Sequence, residues 1–132
     1  MIPDREYMLL PVVEEHFCTV YRKQKKEVPF YDHRIDLYGY SPSTDCSVAV
    51  ELKLRDWKRA LQQALVYQLC SDYVFIAVPE STVQRVKVEV LREHGIGLLA
   101  ISDEKCSVVL PANLSTVVNS QYKAIFTAMM QK

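Results

Sequence analysis

Residues 35–54 read IDLYGYSPSTDCSVAVELKL, and this stretch decides the fold. Ile35-Asp36-Leu37-Tyr38-Gly39-Tyr40 alternates with the two-residue period of a strand. Ser41-Pro42-Ser43-Thr44-Asp45 has the composition of a turn. From Ser47 to Leu54 the alternation resumes, with Val48, Val50, Leu52 and Leu54 pointing one way and Ala49, Glu51 and Lys53 the other. An antiparallel hairpin follows from this pattern. It brings Asp36 beside Glu51, and Lys53 leaves the same face as Glu51. Three ionisable groups then share one position on a sheet.

Outward from the hairpin, Val28-Pro29-Phe30-Tyr31 predicts a short strand that Pro29 confines to an edge or an end. Residues 6–24 have the apolar spacing of a helix (Met8-Leu9, Val12-Val13, His16-Phe17, Val20), although Pro11 would kink its interior or mark its first turn. After the hairpin, Asp56 is placed to cap a helix with the apolar stripe Trp57, Leu61, Ala64, Leu65 and Leu69. Tyr73-Val74-Phe75-Ile76-Ala77-Val78 is a continuous apolar run, as in a strand buried on both faces. Ser81 and Gln84 form a capping-box pattern for a helix that ends at Gly95. Residues 96–101 and 106–110 predict strands, and residues 115–130 a closing helix. A hairpin followed by strand–helix–strand crossovers implies an α/β domain, a mixed sheet with helices on both faces.

The chain has 132 residues, the length of one domain, and 49% hydrophobic with 24% charged residues is ordinary for a globular protein. Neither a membrane-length apolar run nor a signal-peptide pattern is visible, so a cytoplasmic location without membrane association is expected. Sixteen Lys+Arg balance sixteen Asp+Glu, which argues against a strongly basic coat for nucleic acid. Cys18, Cys46, Cys70 and Cys106 form no CxxC pair, and His16, His33 and His94 show no HExxH spacing. Zinc is therefore disfavoured, and buried free thiols are expected. No Gly-rich phosphate loop or GxSxG elbow is present.

Two carboxylates at one sheet position repel, and each raises the cost of ionising the other. A divalent cation removes that conflict, and oxygen ligands suit Mg²⁺ or Mn²⁺. The plainer readings are that Asp36 ends a strand or pairs with Arg34, that Glu51 and Lys53 form a solvated face, and that Trp57 is a core anchor.

Asp36, followed at a distance by Glu51-Leu52-Lys53, resembles the PD-(D/E)xK nuclease superfamily. Gln63-Ala64-Leu65-Val66-Tyr67 on the next helix looks like the Gln-x-x-x-Tyr element of RecB-type members. Ile35 stands where many members have Pro. The resemblance spans about residues 7–101, with a further strand and helix over 105–131. It implies a restriction-endonuclease-like three-layer α/β/α fold over one domain, 1–132, and a Mg²⁺- or Mn²⁺-dependent endonuclease hydrolysing DNA in repair, recombination or defence. It also implies that Asp36, Glu51 and the Leu52 carbonyl bind the metal, that Lys53 orients the attacking water, and that Gln63 reaches back toward the site. Tyr67 and an acid of the first helix, Glu15 in preference to Glu14, are further candidates. Arg55, Lys58, Arg59, Lys25 and Lys26 are the expected phosphate contacts. With no separate reading domain, specificity is expected from DNA structure or a protein partner. Cutting both strands would call for a homodimer, with Tyr38, Tyr40, Ile125, Phe126, Met129 and Met130 offering apolar surface. The rival reading is a non-catalytic module that keeps the fold to bind nucleic acid or a partner. Metal-free RNA cleavage is a weaker third reading, which the carboxylate pair opposes.

Overall fold

The computed structural model describes residues 5–132. Six strands, β1 (Lys23–Phe30), β2 (His33–Ser41), β3 (Cys46–Leu52), β4 (Tyr73–Pro79), β5 (Gly97–Ser102) and β6 (Lys105–Leu110), form one sheet in sequence order. β1, β2 and β3 are an antiparallel meander, β3, β4 and β5 are parallel, and β6 returns antiparallel to β5. The parallel pairs need crossovers, which helices supply: α2 (Trp57–Tyr67) between β3 and β4, and α3 (Glu80–Val83) with α4 (Val88–His94) between β4 and β5. α1 (Leu10–Phe17) precedes the sheet and α5 (Ser120–Met130) ends the chain. No helix among the described residues is long and apolar enough to cross a membrane.

Alternation along the strands divides the apolar residues into two cores. One packs Leu9, Val13 and Phe17 against Val48, Val50, Leu52, Leu99 and Ile101. The other packs Trp57, Ala64, Tyr67, Leu91 and Phe126 against Ala49, Val74, Ile76, Val78 and Leu98. Helices therefore cover both faces of a mixed sheet, as expected. Burying each large aliphatic side chain contributes about 1.5–3 kcal/mol, so the doubly covered strands β3, β4 and β5 anchor the structure.

Several elements differ from their sequence signals. The expected helix over residues 6–24 is a 3-10 turn, Glu6–Leu9, followed by α1, whose first turn takes Pro11 where the missing N–H is not needed. The chain is extended again by Lys23, so Lys23, Lys25 and Lys26 lie on edge strand β1, although residues 22–24 were expected in the first helix. The capping box at Ser81 and Gln84 does not form. α3 starts directly after Pro79 and breaks before α4, and the Thr82 hydroxyl donates to the Leu54 carbonyl instead. The last helix starts at Ser120, five residues later than expected, where the Asn119 side chain accepts from Gln121 and Tyr122 N–H. Gly95 does end α4, at φ +73°. Of the four thiols only Cys70 is buried. Cys46 and Cys106 are half-buried and Cys18 is exposed.

The β1–β2 hairpin turns over at one point. In a regular strand Ile35 and Leu37 would face the same side, yet Leu37 joins the α1 core while Ile35, Val28 and Phe30 join the α2 core. Glu27, between the paired positions Lys26–Leu37 and Val28–Ile35, has φ +55°. That left-handed residue lies across from Asp36, where the hairpin changes faces.

Candidate active site

The β2–β3 ladder runs from Ser41–Cys46 to Leu37–Val50, and continuing its register sets Asp36 across from Glu51. There the backbone pairing gives way to a side chain: the Asp36 carboxylate accepts from the Leu52 N–H at 2.8 Å. Glu51 is buried, 4% exposed, on the face toward α2. Its carboxylate accepts from the Tyr67 hydroxyl at 3.0 Å, and that hydroxyl also lies 3.2 Å from the Arg34 carbonyl. Lys53, just past the end of β3, has its ammonium 4.0 Å from Glu51 and 3.9 Å from Glu6.

Burial dominates the electrostatics. It pushes the Asp36 carboxyl up to about 6, against the stabilising Leu52 N–H, with help from the Glu6 and Glu27 carboxylates. Burial also pushes the Glu51 carboxyl up to about 8, with the Asp36 charge as the next cause, while the Tyr67 hydroxyl and Lys53 oppose the shift. The Tyr67 phenol is raised in turn by its own burial and by Glu51. Two carboxylates are thus held where each resists ionising in the presence of the other, a setting that favours a bound cation or a shared proton.

α2 carries the remaining side chains inward. Arg59, Gln63 and Tyr67 form one row that passes from exposed through half-buried to buried. The Gln63 Oε1 is buried and has no hydrogen-bond partner. A buried acceptor without a partner costs about 1–3 kcal/mol, so it marks a place where a further donor or cation would be favoured.

The expected residues separate as follows. Asp36, Glu51, Lys53 and Tyr67 come together, Leu52 is tied to Asp36, and Gln63 stands on the helix that brings Tyr67. Glu15 is exposed and takes no part in the described ion pairs, while Glu14 holds Lys26 at 4.0 Å and accepts from Gln24 through its carbonyl. The acid that enters from the N-terminal region is Glu6, which sequence periodicity could not single out. Arg55, Lys58 and Arg59 are exposed on the rim just after Lys53, whereas Lys25 and Lys26 lie on edge strand β1. Trp57 is a core residue, 8% exposed. Tyr38, Tyr40, Phe126 and Met130 are buried in the α2 core and are unavailable as a dimer surface, and Met129 is partly buried against it, which leaves Ile125 exposed at 63%.

No cluster of three or more His, Cys, Asp or Glu forms a ready-made metal cage among the described residues. Asp36 and Glu51 could hold Mg²⁺ or Mn²⁺ in the manner of ions that keep several waters and take further oxygens from a substrate. The donor set does not suit zinc. A separate cavity of about 590 Å³ opens between Met8-Leu9 and the β5–β6 turn, lined by Ile101 to Lys105, and shares no residue with this site.

No protein-family model and no curated protein matches the sequence. Among solved structures the chain is similar to a protein of unknown function from Silicibacter pomeroyi, with a TM-score of 0.73 at 19% identity over 99% of this chain and 86% of that one.

Proposed function

We propose that this chain is a metal-dependent nuclease that hydrolyses DNA phosphodiester bonds, with a restriction-endonuclease-like fold. The observation that carries the reading is the meeting of the Asp36 and Glu51 carboxylates with the Lys53 ammonium where β2 and β3 part. Asp36, Glu51 and the Leu52 carbonyl would hold Mg²⁺ or Mn²⁺. The orphaned Gln63 oxygen and the raised carboxyls support the fit. Bound there, the metal supplies a polarised phosphodiester and a water of lowered pKa.

The protein's own groups do the rest. Tyr67 fixes the orientation of Glu51 through its hydroxyl. The Leu52 N–H fixes Asp36. Lys53 orients the attacking water and offsets the charge that develops on phosphorus-bound oxygen. Gln63, on the helix that carries Tyr67, would reach back toward the site. Glu6 holds Lys53 between two carboxylates until a phosphate replaces one of them.

Calorimetric titration with Mn²⁺ tests the reading. Wild type is expected to bind Mn²⁺, and Asp36→Asn, which keeps an acceptor for the Leu52 N–H, is expected to lose that binding while staying folded. Absence of Mn²⁺ binding by the folded wild type would favour the non-catalytic module.

A further inference from the structure

We propose that Arg85 and Lys87, on the connection between α3 and α4, join Arg55, Lys58 and Arg59 in one phosphate-binding rim for the backbone of duplex DNA. The inference rests on the nuclease reading for the direction of the rim toward Lys53, but the binding itself does not depend on cleavage.

The rim is built at the carboxyl ends of parallel strands, where open α/β sheets bind ligands. Leu52 at the end of β3 pairs with Ala77 of β4, and the Lys53 N–H donates to the Ala77 carbonyl at 3.0 Å. From these two ends the chain leaves in segments 53–59 and 80–87. The Thr82 hydroxyl donates to the Leu54 carbonyl, which ties one segment to the other, and the Arg85 N–H donates back to the Thr82 carbonyl at 2.9 Å. Residues far apart in sequence are thereby set on one side of the Lys53 end of the sheet.

Charge gives the rim its character. The two segments hold six Lys/Arg against two Asp/Glu in a chain of zero net charge. One of those acids, Asp56, accepts from the Arg59 N–H at 3.1 Å as the cap of α2, and the other is Glu80. Arg55, Lys58, Arg59, Arg85 and Lys87 are all exposed, and none takes part in an ion pair among the described residues. Elsewhere Lys26 faces Glu14 and Lys123 lies between Asp45 and Asp72, while other exposed cations such as Arg92 and Lys105 lie outside the two segments. Trp57, the aromatic residue of the rim segments, is buried. The rim thus offers cations without a stacking face, which suits phosphates rather than unpaired bases.

Fluorescence anisotropy of a labelled DNA duplex, titrated with the full chain in EDTA from about 50 to about 200 mM salt, tests the rim. Each neutralised phosphate contributes about 0.9 to the slope of log affinity against log salt. The Arg85→Ala/Lys87→Ala double variant is expected to lower that slope by about 1.8 and to weaken binding about tenfold at the lowest salt. The charge-matched control Arg92→Ala/Lys105→Ala is expected to bind as wild type does. An unchanged slope in the first variant, an equal loss in the control, or no duplex binding by wild type would overturn the rim. Cleavage assayed separately with Lys53→Ala shows whether the nuclease reading fails on its own, because EDTA binding is independent of it.

Discussion

The Asp36 carboxylate occupies the place of a backbone partner, accepting the Leu52 N–H at 2.8 Å where the β2–β3 ladder ends. One side chain therefore closes the sheet and serves the candidate site. Leu52 is buried at 3% exposure, so its N–H has no alternative in water. Asp36→Ala is expected to destabilise the fold by about 1–3 kcal/mol, the cost of an unsatisfied buried donor. Asp36→Asn keeps an acceptor and is expected to lose less. Urea denaturation of the two variants checks the difference, and equal losses would show that the hydrogen bond does not hold the strands.

The raised carboxyls give the metal-free protein a defined pH response. Glu51 is pushed from 4.5 up to about 8 and Asp36 from 3.8 up to about 6. The folded state therefore binds these protons more tightly than the unfolded chain does, and the stability these two carboxyls contribute is fully present at low pH. It is lost as pH rises through the carboxyl values, with the last loss near about 8. Melting temperature measured across this window is expected to fall with rising pH in wild type and to fall much less in Glu51→Gln. Saturating Mg²⁺ is expected to flatten the wild-type curve, since a ligand of the ionised folded state stabilises it.

Gln63 separates stability from function. Its buried Oε1 has no partner. Gln63→Leu removes the unsatisfied acceptor while keeping similar bulk, and is expected to raise stability by about 1 kcal/mol. The same variant is expected to reduce cleavage at least tenfold. Thermal melts and cleavage rates moving in these opposite directions would place Gln63 in the site. A drop in both would make it a packing residue.

How far the sequence carried the fold follows from which forces leave a local trace. The two-period alternation of β2 and β3 and the apolar run of β4 were legible because burial imposes them residue by residue. Gly95 was legible because its φ of +73° excludes most other residues. The strand at Lys23–Glu27 was not, because a charged edge strand needs no apolar alternation and its charges protect the edge. The break at residues 84–87 was hidden by a capping pattern whose neighbour Thr82 found a distant partner, Leu54. Glu6 shows the same limit at the site. Its approach to Lys53 is set by how the N-terminal turn packs on the sheet, and no spacing in the sequence encodes it. Asp72 is a further case: this buried carboxylate accepts from both the N–H and the hydroxyl of Ser47, a structural pin that its sequence neighbours do not announce.

The most direct test of the account is cleavage with Mg²⁺ or Mn²⁺ on single-stranded, duplex, flapped and four-way-junction DNA, wild type beside Lys53→Ala, with circular dichroism confirming that both are folded. Wild type is expected to cleave at least one substrate in a metal-dependent way, and the variant to lose at least a hundredfold, the scale on which a lost electrostatic contact to the transition state is felt. No cleavage of any substrate by wild type, or equal cleavage by the folded variant, would contradict it.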